Sequence, residues 1–168
     1  MKIGILGGSF DPAHKGHLAI SKEAKKRFKL KKIIWAVTKK NPLKAESRTP
    51  ISKKIKDCKK IIGMNSFIKV KFYENIIKSN KTIDLINYLK KDKNIEIFFL
   101  MGADNLISFH KWHKSELISQ KCNIIVFDRH GYKKNSLKSK TFKQLNKDVL
   151  KFIEFKKVNI SSSQLRKI

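Results

Sequence analysis

Short apolar runs recur along the chain and predict the strands of a parallel sheet. Runs of this length, bounded by glycine or polar residues, are typical of strands that are buried on both faces. We expect strands at residues 3–6, 33–37, 67–72, 95–101, 123–127 and 153–157. The run at 95–101 is the most apolar and should be central, whereas 67–72 alternates apolar with charged residues, as a strand near a sheet edge does.

Helical patterns separate these runs. Helices are expected from Lys15 onward, over Ile51–Ile62, after a cap at Thr82, from Gly102 to near Trp112, at 113–119 and before the final strand. Strands that alternate with helices favour an α/β fold, a doubly wound parallel sheet, with the 168 residues forming a single domain over 1–168. The Lys-rich segment at 129–140 is the best candidate for a mobile loop.

Polar motifs follow five of the predicted strands. They read GGSFDP, TKKNPLK, GAD, DRHG and ISSS in chain order. The carboxyl ends of parallel strands meet at one edge of a sheet, and ligands bind there at the topological switch point. The sequence therefore predicts one binding crevice that is built from five separate turns.

The first of these turns carries two histidines. Gly7 and Gly8 allow a sharp turn and a close approach to a ligand, and the helix that opens near Lys15 directs unpaired N–H groups back at it. His14 and His17 lie three positions apart and should share a face at the mouth of this anion site. A zinc site is the alternative, although no further Cys or His lies at ligand spacing nearby.

The end of the chain carries a second candidate anion site in ISSSQLR. Ser161 can cap a helix, which places the hydroxyl and N–H groups of Ser162 and Ser163 at its N-terminus. Arg166 follows about one turn later and can donate two hydrogen bonds to a phosphate. A simple helix cap is the alternative interpretation of the three serines.

Charge adds a second class of hypothesis. Lys and Arg number 40 against 13 Asp and Glu, a formal net charge of +27, which could favour a polyanion such as nucleic acid. Nearly all the excess is Lys spread along the chain, and an AT-rich genome that fills surface positions with Lys codons would produce the same composition. We therefore expect weak non-specific binding to nucleic acid but no specific nucleic-acid partner.

The cysteines and the apolar segments indicate the cellular compartment of the protein. Cys58 and Cys122 are far apart and lie in apolar segments, as reduced core residues of a cytoplasmic protein do. The N-terminal apolar run is interrupted by glycines, unlike a signal peptide. No apolar stretch is long enough to span a membrane, so we expect no membrane partner.

The two end motifs together resemble a known signature. GSFDPAHKGH and ISSSQLR are similar to the motifs at the two ends of the nucleotidylyltransferase superfamily, which has a Rossmann-like fold. The resemblance implies that His14 and His17 contact the triphosphate of the incoming nucleotide. It also implies further ATP contacts, at Gly8, Ser9, Phe10, Ser162, Ser163 and Arg166.

Internal motifs resemble one branch of that superfamily, the bacterial nicotinate-nucleotide adenylyltransferases. By this resemblance, Lys44 of NPLK approaches the phosphates, and the GAD turn, with Gly102 and Asp104, contacts the nucleotide ribose. Trp112 would stack on the pyridine ring, and the backbone N–H of Thr82 would receive the nicotinate carboxylate. Arg129 lies in a turn that matches the branch except that His130 replaces a proline, and this chain stops soon after ISSSQLR, where the branch usually continues for another helix.

The resemblance implies adenylyl transfer from ATP to nicotinate mononucleotide, with Mg²⁺ carried by the ATP phosphates. His14, His17 and Lys44 are the expected catalytic residues, and Thr82, Asp104, Trp112 and Lys44 the expected mononucleotide contacts. The nearest alternative is pantetheine-phosphate adenylyltransferase, which shares both end motifs but usually carries a Thr at the position of His14. A monomer and a homodimer both remain open.

Overall fold

The computed structural model of the chain describes residues 1–39, 48–128, 133–145 and 148–154. Within these ranges the strands are β1 (Lys2–Gly8), β2 (Lys32–Val37), β3 (Ile68–Lys71), β4 (Glu96–Gly102), β5 (Asn123–Phe127) and β6 (Leu150–Ile153). They form one six-stranded sheet in the order β3-β2-β1-β4-β5-β6, and every neighbouring pair is parallel. This is the strand order of a doubly wound Rossmann sheet, so the predicted fold class is confirmed.

Helices connect these strands and cover both faces of the sheet. They are α1 (Lys15–Phe28), α2 (Ile51–Ile62), α3 (Glu74–Ile77), α4 (Thr82–Leu89), α5 (Ala103–Ser108), α6 (Ser115–Lys121), α7 (Lys133–Leu137) and α8 (Lys140–Gln144), with a 3₁₀ turn at Phe109–Lys111. The α2 helix has the predicted bounds, and α1 begins at the predicted residue.

Two hydrophobic clusters lie on opposite faces of the sheet, because successive strand residues point to opposite sides. In β4, Phe99 belongs to the cluster that α4, α5 and α6 cover, and Leu100 belongs to the cluster that α1 and α2 cover. The predicted core cysteines are buried, one in each cluster, and are free thiols. Burial raises the pKa of both the Cys58 and the Cys122 thiol to about 12, which keeps them protonated.

The predicted positions of the central and edge strands are confirmed. β1 and β4 lie side by side in the middle of the sheet, and β3 lies at one edge with a half-exposed pattern. The final strand was placed too late in the sequence, because the structure has β6 at Leu150–Ile153 instead of 153–157. The pairing of Ile124 with Leu150 sets this register, and a short apolar pattern at the end of the chain does not reveal such a partner.

Two local predictions are wrong, and the structure contains one short helix that the sequence patterns do not predict. Thr82 does not cap α4, since the N-cap is Lys81 and Thr82 is the first helical residue. The α3 helix was not predicted, because four residues are too few to show a helical period. The Lys-rich segment is not a loop where it is described, since α7 and the start of α8 occupy most of it and Ser136 is fully buried. Its lysines face outward, and packing against α5 holds α7 in place.

Candidate active site

The topological switch point lies between β1 and β4. From β1 the chain passes outward to β2 and β3, then returns to the other side of β1 to form β4. In the parallel register Leu6 faces Leu100, so the strand ends at Gly8 and Gly102 lie next to each other. The turn after Gly8 and the start of α5 at Gly102 therefore meet in the crevice where open α/β sheets bind their ligands. Within the described residues, the motifs after β1 and β4 are brought together at this point, and most of the motif after β2 and of those after β5 and β6 lies outside the described residues.

Phe10, and not a glycine, makes the sharp turn after β1. Its φ is 49°, in the left-handed region, whereas Gly7 and Gly8 belong to the strand itself. A bulky residue adopts this conformation only at a cost in free energy, which the surrounding packing must offset. The Phe10 ring is 1% exposed and stacks on Trp35 with 5.1 Å between ring centroids. The predicted role of the glycines in the turn is thus wrong, and the Phe10 side chain serves the core.

His14 and His17 form the N-terminal cap of α1 together. His14 is the N-cap, and its Nδ1 accepts a hydrogen bond from the Gly16 amide at 3.0 Å. His17 reaches back, and its Nδ1 accepts the His14 amide at 3.1 Å. The two rings lie 3.9 Å apart between centroids. The predicted placement of both histidines at one helix start, on one face, is confirmed.

The capping bonds decide which nitrogen of each ring carries the proton. A neutral imidazole has one donor and one acceptor nitrogen, and both Nδ1 atoms act as acceptors here. Each neutral ring therefore carries its proton on Nε2. Two N–H donors at the positive end of a helix next to the switch point suit an anionic ligand such as a phosphate.

Buried contacts with Phe10, Trp35 and Ser21 hold His17 in its orientation. Its ring lies 4.6 Å from Phe10 and 5.8 Å from Trp35 between centroids. Its carbonyl accepts a hydrogen bond from the Ser21 hydroxyl at 2.8 Å, and that hydroxyl accepts one from the Trp35 indole N–H at 2.8 Å. Ser21 and Trp35 are both fully buried, so α1 is fixed to β2 directly behind the histidines.

On the other side of the switch point, Gly102 is the N-cap of α5. Asp104 lies in the first turn of α5, and its Oδ1 atom is buried. Trp112 follows the 3₁₀ turn and is half-buried. Its ring is nearly perpendicular to that of Phe99, with 5.8 Å between centroids, and lies 5.1 Å from that of Phe109. One part of the indole therefore belongs to the core while another stays accessible.

Thr82 lies further out, at the start of α4. The turn before it is held by Ser79, whose hydroxyl donates to Asp84 at 2.6 Å and accepts the Lys81 amide at 3.1 Å. The amide of the first helical residue has no partner within a helix as a rule, so the Thr82 N–H is of the right kind to bind a carboxylate. This role remains a prediction.

Several predicted site residues lie outside the described residues. They are Lys44, Arg129, Ser162, Ser163 and Arg166, together with the cap proposed at Ser161. Of the predicted residues that are described, Gly8, Ser9, Phe10, His14 and His17 belong to one turn and its helix, and Gly102 and Asp104 to the neighbouring turn.

Two contacts that sequence reasoning missed tie the first turn to the segment after β2. The Thr38 amide donates to the Gly8 carbonyl at 3.0 Å, and the Thr38 hydroxyl lies 3.4 Å from the same oxygen. The Thr49 hydroxyl donates to the Asp11 carboxylate at 2.6 Å. These partners are 30 and 38 positions apart, and no local sequence pattern marks them.

The sequence matches a family of known proteins over nearly its whole length. The family described as cytidylyltransferase-like matches residues 5–168. A protein of Pelagibacter ubique (strain HTCC1062), named "Probable nicotinate-nucleotide adenylyltransferase", is 69% identical over 167 residues, which are 99% of this chain and 93% of that protein. The chain belongs to the nicotinate-nucleotide adenylyltransferases, within the cytidylyltransferase-like family.

More distant nicotinate-nucleotide adenylyltransferases agree with this assignment. One from Bradyrhizobium sp. (strain ORS 278), with the same name, is 37% identical over 130 residues, covering 77% of this chain and 68% of that protein. The structure of a Plasmodium falciparum nicotinic acid mononucleotide adenylyltransferase complexed with NaAD matches with a TM-score of 0.78 at 23% identity, covering 99% of this chain and 82% of that one. At that identity the likeness supports the fold alone. The family that the motifs predicted is confirmed by the sequence matches.

Two further features of the described residues concern membranes and metals. None of the helices there has the length and apolar character needed to cross a membrane. No group of three or more His, Cys, Asp and Glu side chains is gathered as a metal site in the same ranges.

Proposed function

We propose that this chain transfers the adenylyl group of ATP to nicotinate mononucleotide, giving nicotinate adenine dinucleotide and pyrophosphate, a step of NAD biosynthesis. The observation that carries the proposal is the pair His14 and His17 at the start of α1, whose Nδ1 atoms both accept backbone amides. In a chain of this family, two Nε2–H donors beside the switch point suit the triphosphate of ATP.

The reaction needs no protein nucleophile. A phosphate oxygen of the mononucleotide forms a bond to the α-phosphorus of ATP, and the bond from that phosphorus to the oxygen bridging to the β-phosphate breaks. The attacking oxygen is already anionic, so no general base is required. Catalysis then consists of alignment and of hydrogen bonds to the charge that develops on the triphosphate.

His14 and His17 would donate their Nε2–H groups to the triphosphate. Lys44 is assigned to the same phosphates by its motif, and the Gly8–Ser9–Phe10 backbone would border the nucleotide. Ser162, Ser163, Arg166 and Arg129 are proposed as further ATP contacts on the strength of their sequence motifs alone.

The other substrate would lie toward α4 and α5. Gly102 and Asp104 are proposed to contact ribose, because a carboxylate accepts hydrogen bonds from hydroxyl groups. The accessible part of Trp112 would stack on the pyridine ring, and the Thr82 amide would receive the nicotinate carboxylate. The half-buried state of Trp112 supports this proposal, since part of the indole stays accessible for stacking.

Proteins that use ATP in this way generally need a divalent metal, and we propose Mg²⁺. The described residues hold no group of three or more His, Cys, Asp and Glu side chains that could bind a metal, so the ion would be carried by the ATP phosphates. A cytoplasmic location is proposed as well, which the free thiols of Cys58 and Cys122 support.

A panel of acceptors tests the proposal. The protein is incubated with ATP and Mg²⁺ together with nicotinate mononucleotide, nicotinamide mononucleotide or pantetheine phosphate, and pyrophosphate release is measured. We expect turnover with the nicotinate form at least about tenfold above the others. Preference for pantetheine phosphate would contradict the proposal, and equal use of the nicotinamide form would contradict the role of Thr82.

A further inference from the structure

Lys54 is a buried cation on the core-facing side of α2. Its side chain is 0% exposed, and it precedes the buried residues Cys58 and Ile62 by one and two helical turns. Residues at this spacing share one face of a helix, and at such a position an apolar side chain would serve the core at least as well. Burying an ammonium group costs free energy unless polar partners replace water.

The Lys54 ammonium group binds the backbone at the carboxyl end of β2. Its Nζ donates to the Thr38 carbonyl at 3.0 Å and lies 3.4 Å from the Lys39 carbonyl. A strand that has ended leaves carbonyl groups that need donors, and Lys54 supplies them from α2.

Glu74 of α3 acts on the same short segment. The Lys39 backbone hydrogen-bonds its carboxylate, and the charges of Lys39 and Lys54 also act on it. Burial raises the pKa of the Glu74 carboxyl, and these three interactions oppose that rise. Two groups of opposite charge, from two different helices, therefore hold the chain where it leaves β2.

Thr38 connects this restrained segment to the turn between β1 and α1, which leads to His14. Its amide donates to the Gly8 carbonyl at 3.0 Å, at the point where β1 ends and the turn to Phe10 and His14 begins. Lys54 therefore binds the carbonyl of the same residue whose amide binds Gly8, so the two hydrogen bonds are joined by the Thr38 backbone.

We propose that Lys54 is a positioning residue for adenylyl transfer, fixing the first turn through Thr38 and Gly8 so that His14 and His17 meet the phosphates in the reactive geometry. This inference rests on the proposed function. In this role Lys54 acts through the backbone carbonyls of Thr38 and Lys39. Because misplacement by about 1 Å can cost a factor of about 100 in rate, a restraint of this kind affects catalysis more than folding.

The experiment uses four variants of the full chain. Lys54→Met removes the ammonium group and keeps the length of the side chain, and Lys54→Arg keeps donors for the two carbonyls. Lys54→Met with Glu74→Gln removes both charges, so that the fold is not left with one uncompensated buried charge. Lys56→Met is the matched control, since Lys56 is an exposed residue of the same helix. For each variant, kcat, KM for both substrates, the melting temperature and the calorimetric affinity for ATP are measured.

We expect Lys54→Met and the double variant to lower kcat/KM for ATP by about 10- to 100-fold. KM for nicotinate mononucleotide should change by less than about twofold, since that pocket lies on the other side of the switch point. Lys54→Arg should recover part of the loss, and Lys56→Met should match the wild type. Equal activity in the folded double variant and the wild type would overturn the proposal. So would a loss that only follows the melting temperature and affects both substrates alike.

The ATP affinities separate this inference from the proposed function. If the wild type releases no pyrophosphate with any acceptor, the proposed function fails. A weaker ATP affinity in Lys54→Met and the double variant, but not in Lys56→Met, then still supports the restraint on the phosphate-binding turn. Unchanged ATP affinity in that case would overturn the positioning role as well.

Discussion

At the scale of single residues, His17 has a structural role at its Nδ1 atom and a proposed chemical role at its Nε2 atom. Its Nδ1 accepts the His14 amide and completes the cap of α1, which leaves the ring proton on Nε2. If His17 binds phosphate as proposed, a substitution at this position changes helix capping and phosphate binding together unless the replacement keeps an acceptor near Nδ1.

His17→Asn separates these tasks. The Asn side chain places an amide oxygen near the Nδ1 position and can still accept the His14 amide, but it has no group at Nε2. We expect kcat to fall by about 100- to 1000-fold while the melting temperature stays near that of the wild type. His17→Ala should lose the same activity and also about 1 kcal/mol of stability with the cap. Near-normal kcat in folded His17→Asn would remove His17 from the reaction.

Trp112→Ala tests the proposed stacking on the pyridine ring. Loss of an aromatic stack removes about 1 kcal/mol, and with the lost contact area KM for nicotinate mononucleotide should rise about tenfold. KM for ATP should stay nearly constant. The melting temperature should also fall by a few degrees, because the ring packs on Phe99 and Phe109.

Trp112→Phe is the control for that experiment, since it keeps an aromatic ring and should recover most of both effects. If the Ala variant raised KM equally for both substrates, Trp112 would have only a structural role in the core and no specific contact with nicotinate mononucleotide.

At the scale of elements, α7 shows how a polar segment becomes ordered. Its lysines are exposed, yet Ser136 is 0% exposed and its hydroxyl has no hydrogen-bond partner within the part of the chain that the structure describes. The small size of this side chain therefore matters more than its polarity, because a small buried residue lets this short helix pack closely on the rest of the protein.

Ser136→Leu should destabilise the protein by about 1–3 kcal/mol, since the larger side chain overpacks this contact. Ser136→Ala should be neutral, because it keeps the size and removes only the hydroxyl. Asn135→Leu, at the exposed neighbouring position, is the control and should leave the melting temperature unchanged. If Ser136→Leu also left it unchanged, the segment would be the loop that its composition favours.

At the scale of the whole molecule, the formal net charge of +27 acts over a long range and without specificity. It attracts any polyanion, including ATP and nucleic acid, and dissolved salt screens this attraction. The active site differs because its donors are directional hydrogen-bonding groups at fixed positions.

Salt should therefore separate the two kinds of binding. Affinity for an arbitrary single-stranded RNA should fall by about 1000-fold or more between about 50 and 200 mM salt. The value of kcat with saturating ATP and nicotinate mononucleotide should change far less. Filter binding and steady-state kinetics in the same buffers measure both. RNA affinity that survives high salt would favour a specific nucleic-acid role.

The sequence by itself determined the elements and their order. Apolar runs mark strands and periodic patterns mark helices over a few neighbouring residues, so β1, α1, β2, α2, β4 and β5 could be located from local patterns. The two end motifs also identified the family, because residue types at fixed spacing can be recognised in the sequence without knowledge of the fold. His14 and His17 were placed at one helix start for the same reason.

Only the tertiary structure decided the contacts between distant segments. Lys54 binds the carbonyl of Thr38, 16 positions earlier, Thr38 binds Gly8 across 30 positions, and Thr49 binds Asp11 across 38. The burial of Ser136 and the register of β6 likewise depend on partners that are remote in sequence. The physical reason is that local patterns report which face of an element is apolar, whereas hydrogen bonds to particular backbone groups depend on how the elements pack.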